Sequence, residues 1–173
     1  MKNCLVVVTI VLFAVNSTAM GQKKPLLTTR LGASVSFALN NIAANNVGIG
    51  GMAGVEKPVS KSFSAEAEMS YTYFTGDGAL YAEGKNKAYT LPVMAGIKFY
   101  PLQNIYASLR TGAVYFLLNN MSSARIRMTW GIAGGINLPK KINRVNIQMG
   151  YTGFHYEGVQ RGYATLAAAI IIN

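Results

Sequence analysis

Residues 63–74 read Phe63-Ser64-Ala65-Glu66-Ala67-Glu68-Met69-Ser70-Tyr71-Thr72-Tyr73-Phe74. Phe63, Ala65, Ala67, Met69, Tyr71 and Tyr73 fall on one register; Ser64, Glu66, Glu68, Ser70 and Thr72 fall on the other. Successive side chains of an extended strand point to opposite sides, so the segment is a strand with one oily face and one polar, ionised face.

The same period recurs along the chain. Leu31, Ala33, Val35, Phe37 and Leu39 oppose Gly32, Ser34, Ser36 and Ala38; Val145, Ile147, Met149 and Tyr151 oppose Asn146, Gln148, Gly150 and Thr152. Reading outward in this way predicts eight strands, at Thr29–Leu39, Val47–Val55, Phe63–Phe74, Ala88–Tyr100, Ile105–Leu117, Arg125–Leu138, Val145–Tyr156 and Tyr163–Ile172. At a rise of ~3.3 Å per residue and a tilt of ~40°, ten to twelve residues cross the ~25 Å apolar band of an outer membrane.

Composition says which face meets which solvent. Charged residues make up 13% of the chain, against about 25% in an average soluble domain. Hydrophobic residues reach 51%, yet no run beyond the N-terminal leader approaches the ~18 apolar residues of a membrane helix. A transmembrane barrel has this composition, because its apolar residues occupy every second position. The fold expected is therefore all-β, an eight-stranded antiparallel up-and-down transmembrane barrel in a bacterial outer membrane, crossing it many times.

Residues 1–21 read as a cleaved secretory signal, with Lys2 as the positive start, Leu5–Val15 as the apolar stretch and Ser17–Gly21 as the small-residue exit. Cleavage after Gly21 leaves residues 22–173 as one barrel domain; cleavage after Ala19 is the alternative. Cys4, the single cysteine, lies within the leader rather than at its exit, so a lipid-modified cysteine is disfavoured and the mature chain has no thiol.

The formal charge is +10. The lysines and arginines are scattered, with no basic run or interleaved aromatic platform. This pattern and export both argue against nucleic acid and favour anionic lipid head groups as partners. Tight turns are expected at Glu56-Lys57-Pro58, Tyr100-Pro101-Leu102 and Leu138-Pro139-Lys140, because proline cannot donate to a ladder. Loops at 40–46, 75–87, 119–124 and 157–162 share the other end, the surface for any extracellular ligand. Aromatic side chains fall where strands should meet the membrane surface: Tyr71, Tyr73, Tyr89, Tyr115, Tyr151, Tyr156 and Tyr163 toward the outside, and Phe63, Phe99, Tyr100 and Tyr106 toward the inside, with Trp130 a further interface aromatic.

With these features in place, the chain resembles the OmpA/OmpX-like family of small eight-stranded outer-membrane barrels. The segment Leu91–Leu117 is similar to a periplasmic hairpin of such proteins. The chain departs from the family in ending on Ile170-Ile171-Ile172-Asn173 rather than on a terminal aromatic. The resemblance implies an interior that holds an ion network; a monomer is expected, though the sequence does not read out the oligomeric state.

The residues themselves allow several chemistries. Glu66 and Glu68 share a face, ~7 Å apart, and such a carboxylate pair could serve glycoside hydrolysis. The alternative is a structural network in the lumen with Lys98, Arg110 and Arg127, since an eight-stranded interior is just filled by its own side chains. A lumen of this kind would also admit a narrow channel if its network opened. His155, the sole histidine, could act as base for a lipid-modifying enzyme with Ser122 or Ser123 as nucleophile. It is followed by Tyr156 and Glu157, without the serine that a lipid A deacylase motif places two residues on. The glycines of Val47–Val55 and Gly131–Gly135 open no helix, as a phosphate loop requires, and are read as room for bulky lumen neighbours. Asn120-Met121-Ser122 matches a glycosylation sequon by pattern only. One histidine and no mature cysteine give no metal set. The reading assigns no catalytic residue and no cofactor.

Overall fold

The computed structural model describes residues 27–40, 47–74, 87–118, 125–138, 144–156 and 158–172. Eight strands follow in chain order: β1 (Thr28–Asn40), β2 (Val47–Pro58), β3 (Phe63–Phe74), β4 (Ala88–Leu102), β5 (Ile105–Leu118), β6 (Arg125–Asn137), β7 (Val145–Tyr156) and β8 (Val159–Ile172). Each pairs antiparallel with its sequence neighbours, and β1 pairs with β8 from Thr29↔Ile172 to Asn40↔Gly162. Closure satisfies the last strand edge internally, as an apolar surrounding demands. The expected leader, most of the loops at 40–46, 75–87 and 119–124, the sequon and Pro139 lie outside the described residues.

The turns differ from expectation by a few residues. Pro58 still pairs in register with Ser64, so the β2–β3 turn falls at Val59–Ser62, where Val59 N and Ser60 N both donate to Phe63 O at 2.9 Å. Likewise β4 runs through Pro101, with a register shift between Phe99 and Leu102, and turns only at Gln103–Asn104. Proline is tolerated at these strand ends because no ladder donor is needed there.

The segment 157–162, expected as a loop, is mostly strand: Tyr156 pairs with Val159, and β8 begins there. Gly158 at φ 74° turns the chain within two residues, a left-handed geometry that glycine adopts without a Cβ clash.

Pro92 sits inside β4, paired with Val114 on the β5 side. On its other side the β3–β4 ladder runs to Met69↔Val93 and resumes only at Thr72↔Thr90. Proline has no N–H to donate, and the ladder opens opposite it.

Burial follows the two registers. Leu31, Ile49, Ile97, Leu109, Met128 and Ile170 are exposed on the outside, while Ser64, Glu66, Glu68, Thr72 and Lys98 are buried within. An exterior this apolar matches a lipid surround and not water. No helix among the described residues is long and apolar enough to cross a membrane.

Candidate functional site: a filled lumen in two tiers

The tier nearest the short turns is ionic. Register sets Glu56 directly across from Glu66; like charges facing each other across a ladder repel. Lys98 stands between them, its Nζ 2.8 Å from Glu56 Oε2 and 3.5 Å from Glu66 Oε2. Arg30 of β1 reaches Glu66 Oε2 at 2.9 Å and Glu68 Oε2 at 3.7 Å. Arg110 of β5 pairs with Glu68 and lies 4.0 Å from Glu66 Oε1. Three cations thus face three carboxylates, a balance that buried charge requires.

Neutral groups complete the tier. Arg30 Nη1 donates to Gln148 Oε1 at 3.2 Å, Tyr100 OH to Glu56 Oε1 at 2.6 Å, and Gln148 Nε2 to Glu68 Oε2 at 3.4 Å. Tyr106 OH donates to Gln148 Oε1 at 2.9 Å and accepts from Asn146 Nδ2 at 3.0 Å, while Lys98 Nζ lies 4.0 Å from the Tyr106 ring centroid. The ammonium over the ring face adds a cation–π attraction.

These long side chains fit because glycine stands beside them. Gly96 pairs with both Glu66 and Arg110; a Cβ there would meet Arg110 Cγ at 2.7 Å. At Gly135 a Cβ would overlap the Tyr106 phenol and come within 2.7 Å of Ile147 O. Gly135→Val should therefore push Tyr106 off Gln148 and Asn146 and destabilise the barrel by about 2–3 kcal/mol, as overpacking does. A urea titration of the folded protein checks this; an unchanged midpoint would contradict the fit described.

Toward the loop end the lumen becomes apolar. Phe74, Ala88, Val114, Phe116, Phe154 and Tyr163 form a buried cluster. Phe116 and Phe154 lie 5.1 Å apart, and Phe74 meets Tyr163 edge-on at 5.5 Å. A polar pocket bordered by Ser34, Glu68, Arg110 and Thr152 holds only about 20 Å³, about one water.

Of the expected network, Glu66, Glu68, Lys98 and Arg110 come together. Arg127 does not. It lies near the loop end of β6, on the Thr129 register but exposed, and donates to Ile126 O at 3.0 Å. Arg30 and Glu56 take part although the sequence reading passed them over. Arg30 shares the register of Gly32 and Ser34, so alternation reaches it; the proline at 58 places Glu56 in a turn by sequence alone.

Phe63, Tyr71, Tyr73, Tyr89, Phe99, Tyr115, Trp130 and Tyr151 stand on the exterior register, in ring pairs such as Phe63–Phe99 at 5.2 Å and Trp130–Tyr151 at 5.3 Å. Tyr163 is a correction: it is 1% exposed and inside, accepting from Thr90 Oγ1 at 3.4 Å. Alternation along β8 puts this ring inside, on the register of buried Ala167 and Ala169 and opposite exposed Leu166 and Ile170. Tyr106, expected at the inner rim, and Tyr100 likewise serve the ionic tier. His155 is exposed and pairs in register with Gln160; Ser122 and Ser123 lie outside the described residues. Among the described residues no group of three His, Cys, Asp or Glu side chains is placed to hold a metal.

No protein-family model matches this sequence, and no curated protein does. Solved structures do. Ail of Yersinia pestis, in complex with the heparin analogue sucrose octasulfate, superposes with a TM-score of 0.60 at 13% identity, over 87% of this chain and 100% of that one. Neisserial surface protein A gives 0.53 at 15% identity, over 84% and 96%. The N-terminal barrel of Pseudomonas aeruginosa OprF gives 0.52 at 13%, over 87% and 100%. At such identities the likeness is one of fold. Joined to the oily exterior and closed sheet, it makes the chain an eight-stranded transmembrane β-barrel with the fold of the small outer-membrane barrels, placed in the bacterial outer membrane.

Proposed function

We propose that this barrel is a non-enzymatic scaffold that acts at its loop end, where it binds polyanionic surface ligands. The observation that carries the reading is the filled lumen: with both tiers packed, solutes have no route through, and chemistry is left to the outer surface. The carboxylates of Glu66 and Glu68 are held by Arg30, Lys98 and Arg110, so neither is offered to a sugar as acid or base. The closed sheet leaves no edge for another chain, consistent with a monomer.

Arg125 and Arg127 lie exposed near the loop end of β6, on the register that faces inward below them, and Arg161 of β8 lies toward the same end with its guanidinium 5.8 Å from the Phe116 ring centroid. Guanidinium groups suit sulfate and phosphate, which accept their paired donors. Ail has been crystallised with a sulfated sugar, which makes that molecule a suitable probe. By isothermal titration at low salt, the intact barrel in detergent should bind sucrose octasulfate. Arg125→Glu with Arg127→Glu should weaken binding by at least about tenfold, and salt should weaken it further. Equal binding by the variant, or none by the parent, would overturn the reading.

A further inference from the structure

The lipid-facing wall is not uniform. On its loop-end half, Ile49, Gly50, Tyr71, Tyr73 and Tyr89 line an open groove of about 500 Å³. Three features of the chain make it. Gly51 sits on the exterior register directly beside Tyr71 and contributes no side chain there. The β3–β4 ladder is interrupted opposite Pro92, beside Tyr71. The rings of Tyr73 and Tyr89 lie 5.0 Å apart, and those of Tyr71 and Tyr89 6.4 Å, tilted by 31° and 35°, so they fan around the hollow rather than fill it.

The spacing of the chain sets a cation beyond its loop-side end. Lys87 precedes β4 by one residue and is half-buried. It is two residues from Tyr89, hence on the same exterior register and ~7 Å further toward the loop end. An apolar, ring-walled slot inside the bilayer with one positive charge at head-group height matches an amphiphile with an acyl chain and an anionic phosphate. Tyrosine, with an apolar body and polar tip, suits that depth.

We propose that this groove is a specific lipid site: it takes one acyl chain of a phosphate-bearing anionic membrane lipid, with the phosphate at Lys87. The surrounding membrane supplies such a molecule, and the charge of Lys87 selects an anionic head group over a zwitterionic one. The site is separate from the loop-end arginines and independent of what they bind.

Native mass spectrometry of the folded barrel, taken from nanodiscs of mixed phosphatidylglycerol and phosphatidylcholine, tests this. The parent should retain one lipid, with phosphatidylglycerol preferred. Gly51→Leu should abolish retention by filling the groove; a Cβ at 51 meets only Gly32 O, at 3.4 Å, so the ladder tolerates it. Lys87→Glu lies outside the strands and keeps the test decisive should Gly51→Leu not fold. It should retain lipid but lose the phosphatidylglycerol preference by about two- to fivefold, the range of an exposed ion pair. A gel shift between unheated and boiled samples establishes that each variant is folded. Equal retention and preference in parent and both variants would overturn the proposal. So would a parent that leaves the nanodisc as a lipid-free dimer, which would make the groove a contact between two copies.

Discussion

Arg30→Ala should lower the free energy of unfolding by about 3–5 kcal/mol, the usual consequence of stripping one partner from a buried ion cluster. Arg30 is 1% exposed. It touches Glu66, Glu68 and Gln148, on two other strands. Without it, Lys98 and Arg110 face three carboxylates, and a net negative charge is left in the lumen. The fluorescence of Trp130, the single tryptophan, reports the transition during urea titration in lipid. A second variant separates charge balance from simple loss of packing. Arg30→Ala with Glu66→Gln restores two cations to two carboxylates and should recover a large part of the loss, so the two changes are strongly non-additive. Additive losses, or a change below about 1 kcal/mol for Arg30→Ala, would mean that the cluster does not carry the barrel's stability.

Removing Arg110 alone should leave the barrel electrically silent in a planar bilayer. If the lumen were plugged by ions only, truncating a single cation would open a path for water and solute. The structure places a second barrier in series: the rings of Phe74, Phe116, Phe154 and Tyr163, toward the loop end. An apolar constriction excludes water even where a small gap exists. Steady current is therefore expected only when Arg110→Ala is combined with Phe116→Ala and Phe154→Ala, which removes the ring pair packed at 5.1 Å. The heat-dependent gel shift must persist in that variant. Current from Arg110→Ala by itself would show that the apolar tier is no barrier. Silence of a folded triple variant would show that the remaining side chains seal the lumen unaided.

Much of this was legible in the strands. The alternation of Phe63–Phe74 puts Glu66 and Glu68 inside and Met69 and Tyr71 outside, and no tertiary contact is needed to say so. The same rule reaches Lys98 and Arg110. It reaches Arg30 too, which lies within the expected β1 on the register of Gly32 and Ser34. Register across strands was not legible. That Glu56 faces Glu66, with Lys98 held between them, depends on where the β2–β3 turn falls, and that turn lies beyond Pro58 rather than at it. Nor was the length of β8 legible: a glycine at φ 74° lets it start four residues before its expected beginning, so Tyr163 lies within the strand rather than at its first residue.

The amino-acid sequence by itself determined the strands, their two faces, the closed barrel and its solvent, because period and composition are local quantities that a single strand already carries. Tertiary structure alone decided which inward side chains meet, that the lumen divides into an ionic and an apolar tier, and that Arg127 stands apart from the network. Those outcomes depend on register and height around the closed sheet, and a shift of one residue would exchange every neighbour.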